Sequence, residues 1–311
     1  MAEKSVEYLN ELAKAHPERL VAYSEDEYHR RIFDIASYVN ANDKIHVILL
    51  AGPSGSGKTT TASLISDAIE ARGREAFVIS LDNFYRNSDD CRYPRLSDGS
   101  LDLESPEALN IDDVHKTLID IVSGAGFSLP RYDFKAGRRV ENAEHPPMPK
   151  GVVIIEGLHA LNPKIFSSLP SENMYKIFIS VSTNINENGK RILSGRKIRF
   201  ARRLVRDSIY RGADTEKTLE MWQGVLMGED KYLYPYRNMA NVSFDTFHEF
   251  ELSVMKPFLM PLLPKELVEK NALISTVYNA FEKIHSMDDS YVPESSLIRE
   301  FIPGGKYEQL Y

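Results

Sequence analysis

The chain reads as an α/β protein, a three-layer sandwich built on a mostly parallel five-stranded sheet. Three observations predict it. Short, continuous apolar runs with polar ends recur along the chain, as in strands buried on both faces. Helical patterns separate those runs. A glycine-rich loop joins the first run to the helical stretch after it.

Taken in order, residues 1–40 show an amphipathic helical pattern, with Tyr28, Ile32, Ile35, Ala36 and Val39 at three- and four-residue spacing. They form an N-terminal helical extension that packs on the core. Strands are predicted at 45–51, 76–81, 152–156 and 176–181, with a weaker fifth at 240–244. In such sheets ligands gather at the carboxyl ends of the strands. The core, including an arginine-rich helical lid at 187–213, spans 41–250. From 251 to 311 the pattern becomes helical, with an apolar face at Leu267, Leu273, Ile274, Val277, Phe281 and Ile284, then turns irregular. That tail could wrap over the core or join a subunit interface, which leaves a homo-oligomer open.

The first loop carries the strongest motif. Gly52-Pro53-Ser54-Gly55-Ser56-Gly57-Lys58-Thr59, followed by Thr60, fits the phosphate-loop pattern between a strand and a helix. Glycines let successive N–H groups turn inward around phosphate oxygens, and the helix N-terminus adds partial positive charge. Lys58 would reach the outer phosphates and the Thr59 hydroxyl would hold Mg²⁺. This predicts a nucleoside-triphosphate site, and with it the P-loop NTPase type of sandwich.

A phosphate loop does not choose among a kinase, a switch and a motor, so the segments after it carry the argument. Asp82 follows the second strand, where a carboxylate can take the proton of an attacking hydroxyl; an N-capping aspartate would look the same. Glu156 ends the strand at 152–156 and is placed to orient Mg²⁺, directly or through water; a solvent-facing strand-end acid is the competing reading. His159, nearby, reads as structural. Residues 190–211 hold nine Lys and Arg. Helical spacing puts Arg199, Arg203 and Arg206 on nearly one face, with Arg202 beside them. Acids are sparse among these arginines, so salt bridges should leave most of them free to meet charge developing on a transferring phosphoryl group. In residues 130–139, Tyr132 and Phe134 alternate; they would share a face against a planar ring or pack a hairpin on the core.

Net charge is −7, which disfavours a general nucleic-acid binder. Cys91 is the one cysteine, so no intrachain disulfide can form and the cytoplasm is the expected compartment. No apolar run approaches the ~20 residues that span a bilayer. A small-molecule substrate is the expected partner, with no nucleic acid or membrane.

Together these segments resemble the uridine kinase and phosphoribulokinase family of phosphate-loop kinases, over residues 45 to about 250. The resemblance implies ATP and Mg²⁺ as cofactors and transfer of the γ-phosphate to an alcohol. Asp82-Asn83-Phe84-Tyr85 matches the family segment with the catalytic Asp and a substrate-contacting Tyr. Glu104-Ser105-Pro106 aligns with the acid for the ribose hydroxyls, Glu104 replacing the usual Asp. Tyr132-Asp133-Phe134 resembles the base-binding segment. The lid pattern from Arg202 to Gly212 implies phosphate contacts for Arg203, Arg206 and Arg211. Gly137 and Ala213 stand where uridine–cytidine kinases carry a His and an Arg near the pyrimidine. A nucleoside 5′-hydroxyl is the first expectation. A sugar phosphate held by Arg131, Arg138 and Arg139, and a nucleotide-gated switch, are the rivals.

Overall fold

A computed structural model describes residues 2–133, 136–148 and 150–310. In chain order the elements are β1 (Glu3–Ser5), α1 (Val6–Ala15), α2 (Pro17–Asn40), β2 (Val47–Ala51), α3 (Lys58–Glu70) and β3 (Ala76–Ser80). Then come α4 (Ile111–Ser123), β4 (Phe127–Asp133), β5 (Arg138–His145), β6 (Val152–Glu156), α5 (Pro163–Phe166) and β7 (Met174–Ser180). The last third holds β8 (Asn184–Glu187), β9 (Lys190–Leu193), α6 (Gly195–Tyr210), α7 (Thr215–Gly228), β10 (Val242–Asp245), α8 (Glu251–Leu259), α9 (Lys265–Lys270) and α10 (Ala272–Glu282).

The main sheet has the order β10-β7-β2-β6-β3, and all four pairings are parallel. Every residue of β2 and β6 is buried, as continuous Val/Ile/Leu runs require when helices cover both faces. Alternation along the strands divides the core in two. Ile48, Leu50, Val152 and Ile154 face α2, α3, α6, α8 and α10, whereas Val47, Leu49, Val153 and Ile155 face α4 and α5. The result is the α/β sandwich read from the sequence, with the sheet wholly parallel.

The terminal segments belong to the first of these cores. Val6, Leu9, Leu20, Tyr28 and Ile32 from the N-terminal helices, and Leu297, Ile298, Phe301 and Ile302 from the tail, join the same apolar cluster as Ile48 and Ile177. Burying each such side chain is worth about 1.5–3 kcal/mol. The segment at 130–139 is a hairpin, β4 on β5, with a left-handed Gly137 (φ 63°) at its turn. Phe134, predicted to line the acceptor site, lies outside the described residues. No helix among the described residues is long and apolar enough to cross a membrane.

Strand register fixes the site. Leu50 of β2 pairs with Glu156 of β6, and Glu156 pairs with Ser80 of β3. The chain therefore leaves three adjacent parallel strands at one rim. There Gly52 opens the glycine-rich loop, Glu156 closes its strand, and Asp82 lies two residues past Ser80.

Candidate active site

The loop from Gly52 to Thr59 is shaped from outside by bonds to its carbonyls. Arg199 Nη1 donates to Ser54 O at 2.7 Å and Arg202 Nη1 to Gly55 O at 3.2 Å. The Thr246 hydroxyl donates to Ser56 O at 2.8 Å, and the Thr61 hydroxyl to Gly57 O at 2.6 Å. Drawing successive carbonyls outward turns intervening N–H groups toward the cradle, the arrangement that binds phosphate. Gly57, left-handed at φ 86°, stands at the N-cap of α3, where no side chain caps the helix. The N–H groups of Lys58 and Thr59 in the first turn of α3 are thus left to meet an anion. Lys58 Nζ rests at 3.4 Å from Pro53 O. Tyr28 braces the assembly from α2, its hydroxyl 2.7 Å from that of Thr61.

The arginines of α6 correct the sequence reading. Acids far away in the chain meet them. Arg199 forms a two-pronged pair with Glu229 at 2.7 and 2.8 Å, and Arg202 does the same with Glu251 at 2.6 and 3.0 Å. All four side chains are buried. Arg199 and Arg202 therefore hold the loop and are not free for phosphate, although Arg199 follows the helical face of Arg203 and Arg206. Glu229 opens a π-helical turn (Glu229–Leu233) after α7, which aims its carboxylate at the loop, where it accepts from Ser54 N at 2.9 Å. That N–H, expected in the cradle, is already engaged. The helix itself packs tightly, with Ile198, Phe200, Ala201, Leu204 and Val205 buried.

Arg203, Arg206 and Arg211 converge on a single acid within the stretch. Asp207 lies 3.1 Å from Arg203 Nε, 2.8 Å from Arg206 Nη2 and 3.7 Å from Arg211 Nη1. Three cations share one carboxylate, so the group keeps a positive balance. Arg203 also donates to the Ser54 hydroxyl at 3.0 Å, which places it on the rim of the loop. Crowding by Arg206, then burial, lowers the Arg211 pKa to about 10. Burial lowers that of Arg203 as well, against the pull of Asp207.

Asp82 faces this group. It touches solvent in the open cleft, yet protein surrounds it closely enough for burial to raise its pKa, while Lys58, Arg211 and Arg206 pull the other way. Glu156, 5% exposed, is pushed to about 7 by burial, opposed by Lys58 and reinforced by the nearby Asp82. Two acids driven toward their protonated forms beside a lysine make a place that gains from a cation. Among the described residues no cluster of three or more metal-ligating side chains occurs. Mg²⁺ is commonly bound through one or two carboxylates plus phosphates and water. Thr59 and Glu156, with Asp82 adjacent, would hold it.

An aromatic shelf lies near Asp82. Tyr85 and Tyr132 have ring centroids 5.7 Å apart, and the Tyr85 hydroxyl donates to Leu103 O at 2.9 Å. Glu104 follows on the same segment. Its pKa is raised to about 7 by burial, while Arg203 favours its charge. It presses so closely on α7 that a Cβ on Gly228 would sit 2.4 Å from its own Cβ, so only glycine fits there. His159, left aside as structural, is buried and held to about 4, chiefly by burial. Arg139 is paired with Asp113, which occupies one cation of the sugar-phosphate alternative.

Thr60, expected at the nucleotide, already has a carboxylate partner. It is wholly buried, and its hydroxyl donates to Glu300 at 2.9 Å. Glu229, Glu251 and Glu300 escaped the sequence reading because each reaches the site across a long chain separation. For the tail, the signal was present in the apolar density of Leu297, Ile298, Phe301 and Ile302 around Arg299-Glu300.

A parallel sheet with an outward-pinned glycine loop, followed by Lys-Thr at a helix start, defines a P-loop protein. The chain belongs to the phosphoribulokinase / uridine kinase family, whose pattern matches residues 47–253. The uridine kinase of Borrelia hermsii is 31% identical over 200 residues, 64% of this chain and 85% of that protein. The uridine kinase of Saccharomyces cerevisiae is 29% identical over 178 residues, 57% of this chain. The matched stretch is 32% of that yeast protein and 35% of the uridine kinase of Schizosaccharomyces pombe, about a third of each. In fold, the chain is similar to a candidate fructose transport system kinase from a Silicibacter species. The TM-score is 0.50 at 20% identity, covering 64% of this chain and 89% of that one.

Proposed function

We propose that this protein is an ATP- and Mg²⁺-dependent kinase that transfers the γ-phosphoryl group to an alcohol on a small molecule, a nucleoside 5′-hydroxyl first among candidates. One observation carries the reading: the register of β2, β6 and β3 brings the glycine-rich loop, Glu156 and Asp82 to one rim of the sheet, with Lys58, Arg206 and Arg211 close enough to act on the Asp82 carboxylate. In this reading the loop N–H groups and Lys58 hold the outer phosphates. Asp82 takes the proton of the incoming hydroxyl, and its raised pKa suits a base that must accept one in the transition state. Arg203, Arg206 and Arg211 stabilise the charge spreading over the transferring oxygens. Thr59 and Glu156 would hold Mg²⁺, which would supply positive charge at the outer phosphates.

For the acceptor, Glu104 is suited to ribose hydroxyls and the Tyr85–Tyr132 shelf to a planar base. Gly137 and Ala213 supply no side chain to read a pyrimidine edge, so discrimination among bases should be weak. The uridine kinases of Borrelia hermsii and yeast support the nucleoside class. A phosphoryl-acceptor screen with ATP and Mg²⁺ across nucleosides, sugars and sugar phosphates tests the proposal. Turnover with one or more nucleosides is expected. Turnover with sugar phosphates alone would overturn the nucleoside assignment, and ATP hydrolysis indifferent to every alcohol would overturn the kinase.

A further inference from the structure

The carboxyl-terminal tail reaches into the phosphate cradle. Glu300, 4% exposed, accepts from the Thr60 hydroxyl at 2.9 Å and lies 3.4 Å from the Thr60 backbone N–H, with both donors bound to its Oε2. Its other oxygen lies 3.9 Å from Arg206 Nη1. Three residues earlier, Leu297 packs on the loop so tightly that a Cβ on Gly57 would fall 2.5 Å from its Cδ1. The backbone here is firmly seated. The Arg202 guanidinium lies 4.9 Å from the Phe301 ring centroid, and Arg299 donates to Asp289 O at 2.7 Å, Asp289 Oδ2 at 2.8 Å and Val292 O at 2.8 Å. Phe301 and Ile302 are wholly buried.

Lys58 reaches toward the outer phosphates, so the donors of the first turn of α3 past it face the phosphate next to the nucleoside. Thr60 supplies two of those donors, and both already point at a carboxylate. We propose that Glu300 occupies the α-phosphate seat and acts as a built-in competitor that sets the affinity for nucleotide. The inference rests on the ATP-dependent reading given above. With the tail backbone fixed, the side chain alone must turn away, and Arg206 offers the neighbouring cation to receive it. A donor with only outer phosphates would bind without moving Glu300. A nucleoside triphosphate must displace it, at the cost of a like charge near its α-phosphate.

The test is to titrate the full-length protein, Glu300→Gln and Lys58→Ala with ATP and, separately, with pyrophosphate, each with Mg²⁺, and to record melting curves. Glu300→Gln should tighten ATP binding about tenfold, as expected for removal of a like charge at close range, and change pyrophosphate binding by less than about threefold. A weaker or unchanged ATP affinity in a normally melting Glu300→Gln protein would overturn the proposal, as would equal tightening for both ligands. Should that variant not fold, Glu300→Asp keeps the charge but falls one methylene short of Thr60, and ATP should tighten about threefold; no tightening would refute the competitor role. If neither ligand binds the wild-type protein and Lys58→Ala changes nothing, the ATP reading fails and takes this inference with it. Lys58-dependent ATP binding with no effect at Glu300 fails the inference alone.

Discussion

Glu229 should couple the stability of the fold to the shape of the phosphate loop. It is wholly buried, receives both prongs of Arg199 at 2.7 and 2.8 Å, and caps Ser54 N at 2.9 Å. Glu229→Ala strands the Arg199 guanidinium, which is 1% exposed, without a counter-charge. Breaking a buried pair from one side costs about 3–5 kcal/mol, a large share of the ~5–15 kcal/mol that holds a typical domain together. Urea denaturation should show a loss of that size. Converting both partners, Arg199→Met with Glu229→Leu, should recover most of the loss, because the unpaired charge disappears. ATP affinity should stay weak in the double variant, since Ser54 O and Ser54 N have both lost their partners. A Glu229→Ala protein within about 1 kcal/mol of wild type would refute the reasoning. So would a double variant whose ATP binding recovers along with its stability.

Three further outcomes follow from the same contacts. Lys58→Ala should leave the melting temperature near wild type while weakening ATP at least about tenfold, the worth of a charge-assisted phosphate contact; an unchanged titration contradicts the loop assignment. The raised pKa of Glu156, about 7 against an ordinary 4.5, means the folded chain holds a proton there that the unfolded chain has released. Stability should therefore fall as pH climbs from about 4.5 through 7, and Glu156→Gln should shrink that fall in ligand-free melts at pH 5 and pH 8. Leu297→Ala should cost about 2–5 kcal/mol through the void it leaves against Gly57 and the tail, measured by urea denaturation.

Much of the architecture was legible because its signals are local. Continuous apolar runs marked four of the five strands and a weaker run the fifth, and the Gly52–Thr59 loop lay between strand and helix as its chemistry requires. The register that joins Ser80, Glu156 and Leu50 follows from parallel strands whose polar ends were visible in the sequence. The arginine segment was misread for a physical reason. Residues 190–211 look unneutralised along the chain, but Arg199 meets Glu229 and Arg202 meets Glu251 only once α6 is docked. Periodicity reports which residues share a helical face, and says nothing of which distant carboxylate that face will meet. The tail was harder still. Its short 3₁₀ turns carry no helical or strand period, so Glu300 could not be placed beside Thr60, 240 residues earlier.

In the proposed reaction the residue-82 carboxylate removes the acceptor's proton, while other groups of the same cleft hold the nucleotide. Asp82→Asn removes that function while nearly preserving shape, and phosphoryl transfer measured with the best acceptor under saturating ATP, alongside an ATP titration, reads both halves. ATP binding no weaker than wild type and turnover lowered at least about 100-fold are expected. Undiminished turnover in Asp82→Asn would contradict that role.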